Sequence, residues 1–341
     1  MKKTVLLLSL IFFTNLGFAQ TDKLENLCQV FHIPNKKDTT TFIVFGTKED
    51  LKIKKPLFLF RQGSQPRPLL ELYQRKFYPQ LPFRIKPYQK DYHFVMIQKS
   101  GTVFLADSTY MTQLEEGLKT GDPKIFTKKY QENNNLDKAT EQCNQVINYL
   151  VKQPWVDTRK IVFCGGSEGF TVGANLVANY NQFITHTILF SGHAGRRFEF
   201  EIYQIRDAVK QGQIDADTAQ KQIEELYKLW EDICKNPKST DKSFGDTYYA
   251  WHSFSRKNLD NLLKIKIPLY IAYGTDDKEI TIGLDYLPLD FIEKGKKNLT
   301  LKAYPNHDHQ FFELKKDTSG KVIDKIYRGN EVAKEWMEWL K

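Results

Sequence analysis

The sequence predicts an α/β chain in which a mostly parallel central sheet is flanked by helices on both faces. Three observations lead there. Short apolar runs of strand length recur along the chain. Segments with helical spacing separate them, and the candidate chemistry-bearing residues fall at the ends of the apolar runs. Alternation of this kind builds a sheet covered on both sides, and ligands then bind at the carboxyl ends of its strands.

The strands are read first. Residues 40–45 form the first clear run, and 55–60 form a central, fully buried one that ends in Arg61-Gln-Gly-Ser64. Residues 69–77 are read as a helical stretch, and 92–97 as the next strand, closed by Ser100-Gly101. Residues 20–38 carry no assignment, and 102–135 read as irregular and polar. From Leu136 the pattern is helical, with Leu136, Ala139, Cys143, Val146, Ile147 and Leu150 on one face and Asn135 as N-cap. Strands follow at 161–164, 185–190, 267–273 and 298–304. A closing amphipathic helix spans 330–340, with Val332, Trp336, Trp339 and Leu340 facing inward.

Between the strands at 185–190 and 267–273 the pattern changes. Residues 193–263 are expected to form an inserted helical lid, leaving 20–192 and 264–341 as the body. Its second helix shows a stripe of Ile223, Leu226, Tyr227, Trp230 and Ile233, with Asp215 or Asp217 as cap. Phe198, Phe200, Tyr203, Tyr248, Tyr249 and Trp251 are read as packing the lid onto the body, and Arg196-Arg197 as a surface pair.

The amino terminus has the layout of a secretory signal: Lys2 and Lys3, an apolar run over 5–13, then Gly17-Phe18-Ala19. Cleavage after Ala19 is expected, with export to a bacterial periplasm or beyond. No run approaches the roughly 20 apolar residues of a membrane span, so no stable membrane insertion is expected after cleavage. The formal net charge is +9, of which Lys2 and Lys3 supply two. The doublets Lys54-Lys55, Lys128-Lys129 and Lys296-Lys297 are isolated solvated corners, which argues against nucleic-acid binding. Cys28, Cys143, Cys164 and Cys234 show neither zinc spacing nor a disulfide framework, and Cys164 reads as a core residue. Whether any of them pair in an oxidising compartment stays open, as does the oligomeric state.

The functional reading centres on Gly165-Gly-Ser167-Glu-Gly169, between a strand and a helix. A turn of this form strains the serine backbone and exposes its hydroxyl at the sheet edge. A serine nucleophile needs a base, and the base a carboxylate. Asp276 and Asp277 follow one later strand; His307 and His309 follow the next. Glu168 reads as a solvated or locally paired carboxylate at a helix N-terminus. His307 and His309 have no third ligand beside them, so no metal site is expected.

In Gly165-Gly-Ser-Glu-Gly169, Gly274-Thr-Asp-Asp-Lys-Glu-Ile280 and Asn306-His-Asp-His-Gln-Phe311 the chain resembles the α/β-hydrolase-fold serine hydrolases. Within them it is most similar to the dienelactone hydrolase, acetyl esterase and prolyl oligopeptidase-like branch, over residues 43–340. The resemblance implies a catalytic triad of Ser167, Asp277 (rather than Asp276) and His309 (rather than His307). It implies an oxyanion hole from the backbone N–H groups of Glu168 and Ser64, although the turn reads Gln62-Gly63 where many relatives have His-Gly. No cofactor is implied. The expected substrate is a small carboxylic ester. A short-peptide substrate or acyl transfer by the same triad is the alternative, and from another class, a binding protein of the same fold that has lost turnover. Peptidases of the branch usually carry a large gating domain, which does not fit in this chain.

Overall fold

The computed structural model describes residues 23–35, 38–180, 182–277 and 283–341. The expected signal segment at 1–19 and the end of the Gly274–Ile280 motif lie outside the described residues. Eight strands form the main sheet among them: β1 (Cys28–Pro34), β2 (Thr39–Phe45), β3 (Lys55–Arg61), β4 (His93–Ile97), β5 (Val156–Gly166), β6 (His186–Phe190), β7 (Leu269–Gly274) and β8 (Leu299–Tyr304). Their order across the sheet is β1-β2-β4-β3-β5-β6-β7-β8. Only β2 opposes the rest, pairing antiparallel with β1 and β4; every later pairing is parallel.

The central strands are apolar on both faces because both faces are covered. Leu57 and Leu59 of β3, Ile161 and Phe163 of β5 and Ile271 of β7 enter one core. Phe58 and Phe60, Val162 and Cys164, and Tyr270 and Ala272 enter the other. Strict period-two alternation thus feeds two cores from one run of hydrophobic residues. The helices Leu136–Leu150 and Glu168–Asn179 close the first core. The helix Gly329–Trp339 closes the second through Val332, Ala333, Trp336 and Met337, and Leu340 beyond its end joins them. Asn135 caps its helix as expected, accepting from Lys138 N–H at 3.0 Å.

Several segments depart from the sequence reading. Residues 69–77 are no helix: Leu70–Tyr73 and Lys76–Pro79 form a hairpin, with Leu105–Asp107 alongside Leu70–Tyr73. Residues 102–135 are not irregular but contain the helices Ser108–Thr120 and Lys128–Asn133. Asp107 accepts from Tyr110 N–H at the start of the first, and Gly121 ends it in the left-handed region at φ 70°. The unassigned stretch before Asp38 supplies β1. Phe312–Lys316 and Val322–Tyr327 add a hairpin ahead of the closing helix.

Between β6 and β7 lie four helices, Arg197–Lys210, Ala216–Lys235, Tyr248–Phe254 and Asn258–Lys264. Phe198, Leu226, Ile233, Tyr248 and Trp251 give this segment a small core of its own. Asp215 is the cap of the second helix, accepting from Thr218 N–H at 2.7 Å. Tyr227, expected in the apolar stripe, is 57% exposed, because the small core reaches only the Leu226 side of the helix. Phe254 and Leu262 join the core of the body, so the later part of the segment packs as body.

Candidate active site

The sheet order decides what meets at its carboxyl edge. β4, β3 and β5 are neighbours, so the residues that follow them converge: Lys99 after β4, Gln62-Gly63-Ser64 after β3 and Ser167-Glu168 after β5.

Ser167 has φ 55° and ψ −118°, a strained conformation for a residue with a side chain, and the helix Glu168–Asn179 starts directly after it. Its N–H donates to the Phe190 carbonyl of β6 at 3.0 Å. The glycines on either side are required by close approach. A Cβ on Gly165 would lie 2.1 Å from the Gly169 carbonyl oxygen, and one on Gly169 would lie 2.4 Å from that of Arg61. The helix is therefore pressed against the ends of β3 and β5, which leaves the serine at the crest of the turn.

Asp277 follows β7 and is buried at 3% exposure. Its Oδ2 lies 2.8 Å from His309 Nδ1, and the imidazole keeps 21% of its surface exposed. A carboxylate on Nδ1 holds the proton there and leaves Nε2 as the acceptor. The turn carrying His309 is braced twice. Ser191 Oγ donates to the His309 carbonyl at 2.7 Å, and Asp308 Oδ1 accepts from the N–H groups of Gln310 and Phe312, each at 3.0 Å. Asp276 turns away to pair with Lys316, and His307 Nδ1 meets the Pro305 carbonyl at 2.8 Å. Ser167, Asp277 and His309 line one cavity of about 990 Å³, together with Gln62, Gly63 and Ser64.

A second cavity of about 560 Å³ also reaches Ser167 and is lined by Ser64, Glu168, His193, Arg197, Phe200 and Tyr203 among others. Arg197 is not a free surface residue. It bonds Asp246 at 2.6 Å, lies 4.2 Å from the centre of the Trp251 ring and faces this cavity. Phe198 packs within the small helical core, and Tyr249 donates to Asp137 at 3.0 Å. Burial pushes the His193 imidazole down to about 4, so it is neutral near pH 7.

Glu168 is neither solvated nor locally paired. Its side chain is 5% exposed and meets Lys99, itself 3% exposed, at 3.0 Å. The Lys99 ammonium also donates to the Gly63 carbonyl at 2.7 Å and lies 3.2 Å from the Tyr130 hydroxyl, which in turn donates to the Ser64 carbonyl. Burial pulls Lys99 below the ordinary lysine value, and the Glu168 carboxylate opposes that pull. Sequence reasoning missed Lys99 and Tyr130. The one available signal was a lysine two positions past the mainly apolar run of β4. Gln62 turns its amide toward the Pro68 carbonyl, at 3.4 Å, inside the protein.

Residues 239–341 match the Dienelactone hydrolase family, a span that includes Asp277 and His309 and begins after Ser167. No curated protein matches the sequence. Among solved structures, the chain is similar to the acylaminoacyl peptidase of Pyrococcus horikoshii, with 13% identity and a TM-score of 0.50 over 83% of this chain. It spans only 37% of that peptidase's length. It is also similar to Est1E from Butyrivibrio proteoclasticus, with 12% identity and a TM-score of 0.50 over 91% of this chain and 97% of that one. Strand order, the single reversed strand and these likenesses agree: the chain has the α/β-hydrolase fold.

Proposed function

We propose that the protein is an exported serine hydrolase that cleaves carboxylic esters through an acyl-enzyme. The observation that carries this reading is the 2.8 Å bond between His309 Nδ1 and buried Asp277, on the same cavity as the strained Ser167. In this mechanism His309 Nε2 takes the Ser167 proton as Oγ attacks the carbonyl carbon. Asp277 holds the imidazole in the required tautomer and stabilises the imidazolium. The N–H groups of Ser64 and Glu168, residues that line the smaller cavity together with Ser167, receive the developing oxyanion. His309 then gives its proton to the leaving alcohol. Water, activated by the same imidazole, releases the acid. The chemistry needs no cofactor.

The leaving group departs on the His309 side, so the acyl group lies toward the smaller cavity beneath the helices that follow β6. An acyl group bounded by Phe200, Tyr203 and Arg197 fits an ester with one compact end. Export rests on the signal pattern of residues 1–19, and mature protein recovered outside the cytoplasm should begin at Gln20.

A fluorophosphonate probe tests the central reading. Wild-type protein labels at Ser167 and hydrolyses p-nitrophenyl esters, while well-folded Ser167→Ala does neither. Wild-type protein that neither labels nor turns over any member of an acyl-length series sinks the assignment.

A further inference from the structure

We infer that Lys99 is a positioning residue that ties together the two backbone amides on either side of Ser167. The inference deepens the serine-hydrolase reading and rests on it. The Gly63 carbonyl and the Ser64 N–H belong to one planar trans peptide and point in opposite directions. Lys99 Nζ donates to that carbonyl at 2.7 Å, so it sets the plane and thereby the direction of the Ser64 N–H. Tyr130 donates to the Ser64 carbonyl and pins the next plane. The same ammonium grips the Glu168 side chain at 3.0 Å, and Glu168 supplies the second amide.

An ammonium has three hydrogens. Here they meet three partners: Gly63 O, Glu168 Oε1 and the Tyr130 hydroxyl oxygen. A cation bonded to a carbonyl also polarises its amide, which makes the opposite N–H a better donor. Stability is a poor reason for such a pair, because a buried ion pair is often replaceable by apolar residues at no cost. Its location gives a better reason. The sheet order sets the ends of β4, β3 and β5 side by side, and Lys99 is the group that spans all three.

Oxyanion donors act on the transition state and leave ground-state binding almost untouched. Lys99→Met should therefore lower kcat on a p-nitrophenyl ester by about 10²-fold with KM within about twofold, and slow fluorophosphonate labelling in parallel. It also leaves Glu168 buried without its partner, so its Tm falls. The double variant Lys99→Met/Glu168→Gln removes both charges. There Tm should recover while kcat stays low, and a merely structural role predicts that both recover. Tyr130→Phe keeps the ion pair and should cost about tenfold or less in kcat. The inference is overturned if either Lys99 variant retains wild-type kcat, or if kcat returns together with Tm in the double variant. Should Lys99→Met fail to fold, the double variant carries the test. Wild-type protein inert to probe and ester overturns the serine-hydrolase reading and this inference with it; active wild-type protein with unaffected Lys99 variants overturns the inference alone.

Discussion

Two acid–base pairs, each with a buried carboxylate, lie beside Ser167, and they are built for different tasks. Asp277–His309 and Glu168–Lys99 have nearly equal separations, 2.8 and 3.0 Å, and both carboxylate side chains are buried. The difference lies in the cation partner. His309 keeps a fifth of its surface exposed and reaches the larger cavity. Lys99 is sealed at 3% and spends its hydrogens on main-chain and side-chain oxygens. A carboxylate beside an exposed imidazole orients a proton carrier; a carboxylate beside a sealed ammonium holds a backbone. Similar distances thus say little about role, and access says a great deal.

The largest effect should come from the open pair. Asp277→Asn leaves the geometry nearly intact but offers Nδ1 an N–H, which favours the wrong tautomer; kcat should fall about 10⁴-fold on p-nitrophenyl esters with little change in Tm. A loss near that of the Lys99 variants would mean the two pairs differ less than their exposure implies.

Burial on the closed side can be read from His193, which lines the smaller cavity there. Its pKa is lowered in the fold from 6.5 to about 4 because burial disfavours the imidazolium. The unfolded chain therefore takes up this proton first. The contribution is complete above pH 6.5 and is lost as pH falls toward 4, up to about 3 kcal/mol. His193→Asn should flatten Tm against pH across that window, and an NMR titration of the wild type should show the imidazole neutral until about pH 4. Titration near 6.5 would mean the cavity wall is wet.

The smallest effect concerns the brace behind His309. Asp308→Ala removes the acceptor for the Gln310 and Phe312 N–H groups. The turn should loosen, lowering kcat about tenfold, with the pH profile of kcat/KM unchanged because no proton carrier is altered. A shifted profile would move Asp308 into the electrostatics of the imidazole itself.

Much of this was legible in the sequence where the signal is local. Apolar runs marked β3, β4, β5 and β7, since a strand buried on both faces needs no partner to be recognised. Asn135 and Asp215 announced their helices because a cap acts within three residues. The hairpin Leu70–Pro79 escaped because its turn uses Gln74 and Arg75 at φ 47° and 63° in place of the usual asparagine and glycine. Arg197 read as a surface charge because Trp251 and Asp246 lie about fifty residues further on.

By itself the sequence determined the central strands and that a serine, an aspartate and a histidine each follow one, because strand period and turn chemistry are written within a few residues. That Asp277 and His309, the pair the resemblance implies, meet across 32 residues, and that Lys99 reaches Glu168 across 69, was decided in three dimensions. The physical reason is the sheet order. Placing β3 between β4 and β5 brings together chain ends that no local pattern connects, and burial at that junction makes pairing of the Lys99 and Glu168 charges necessary.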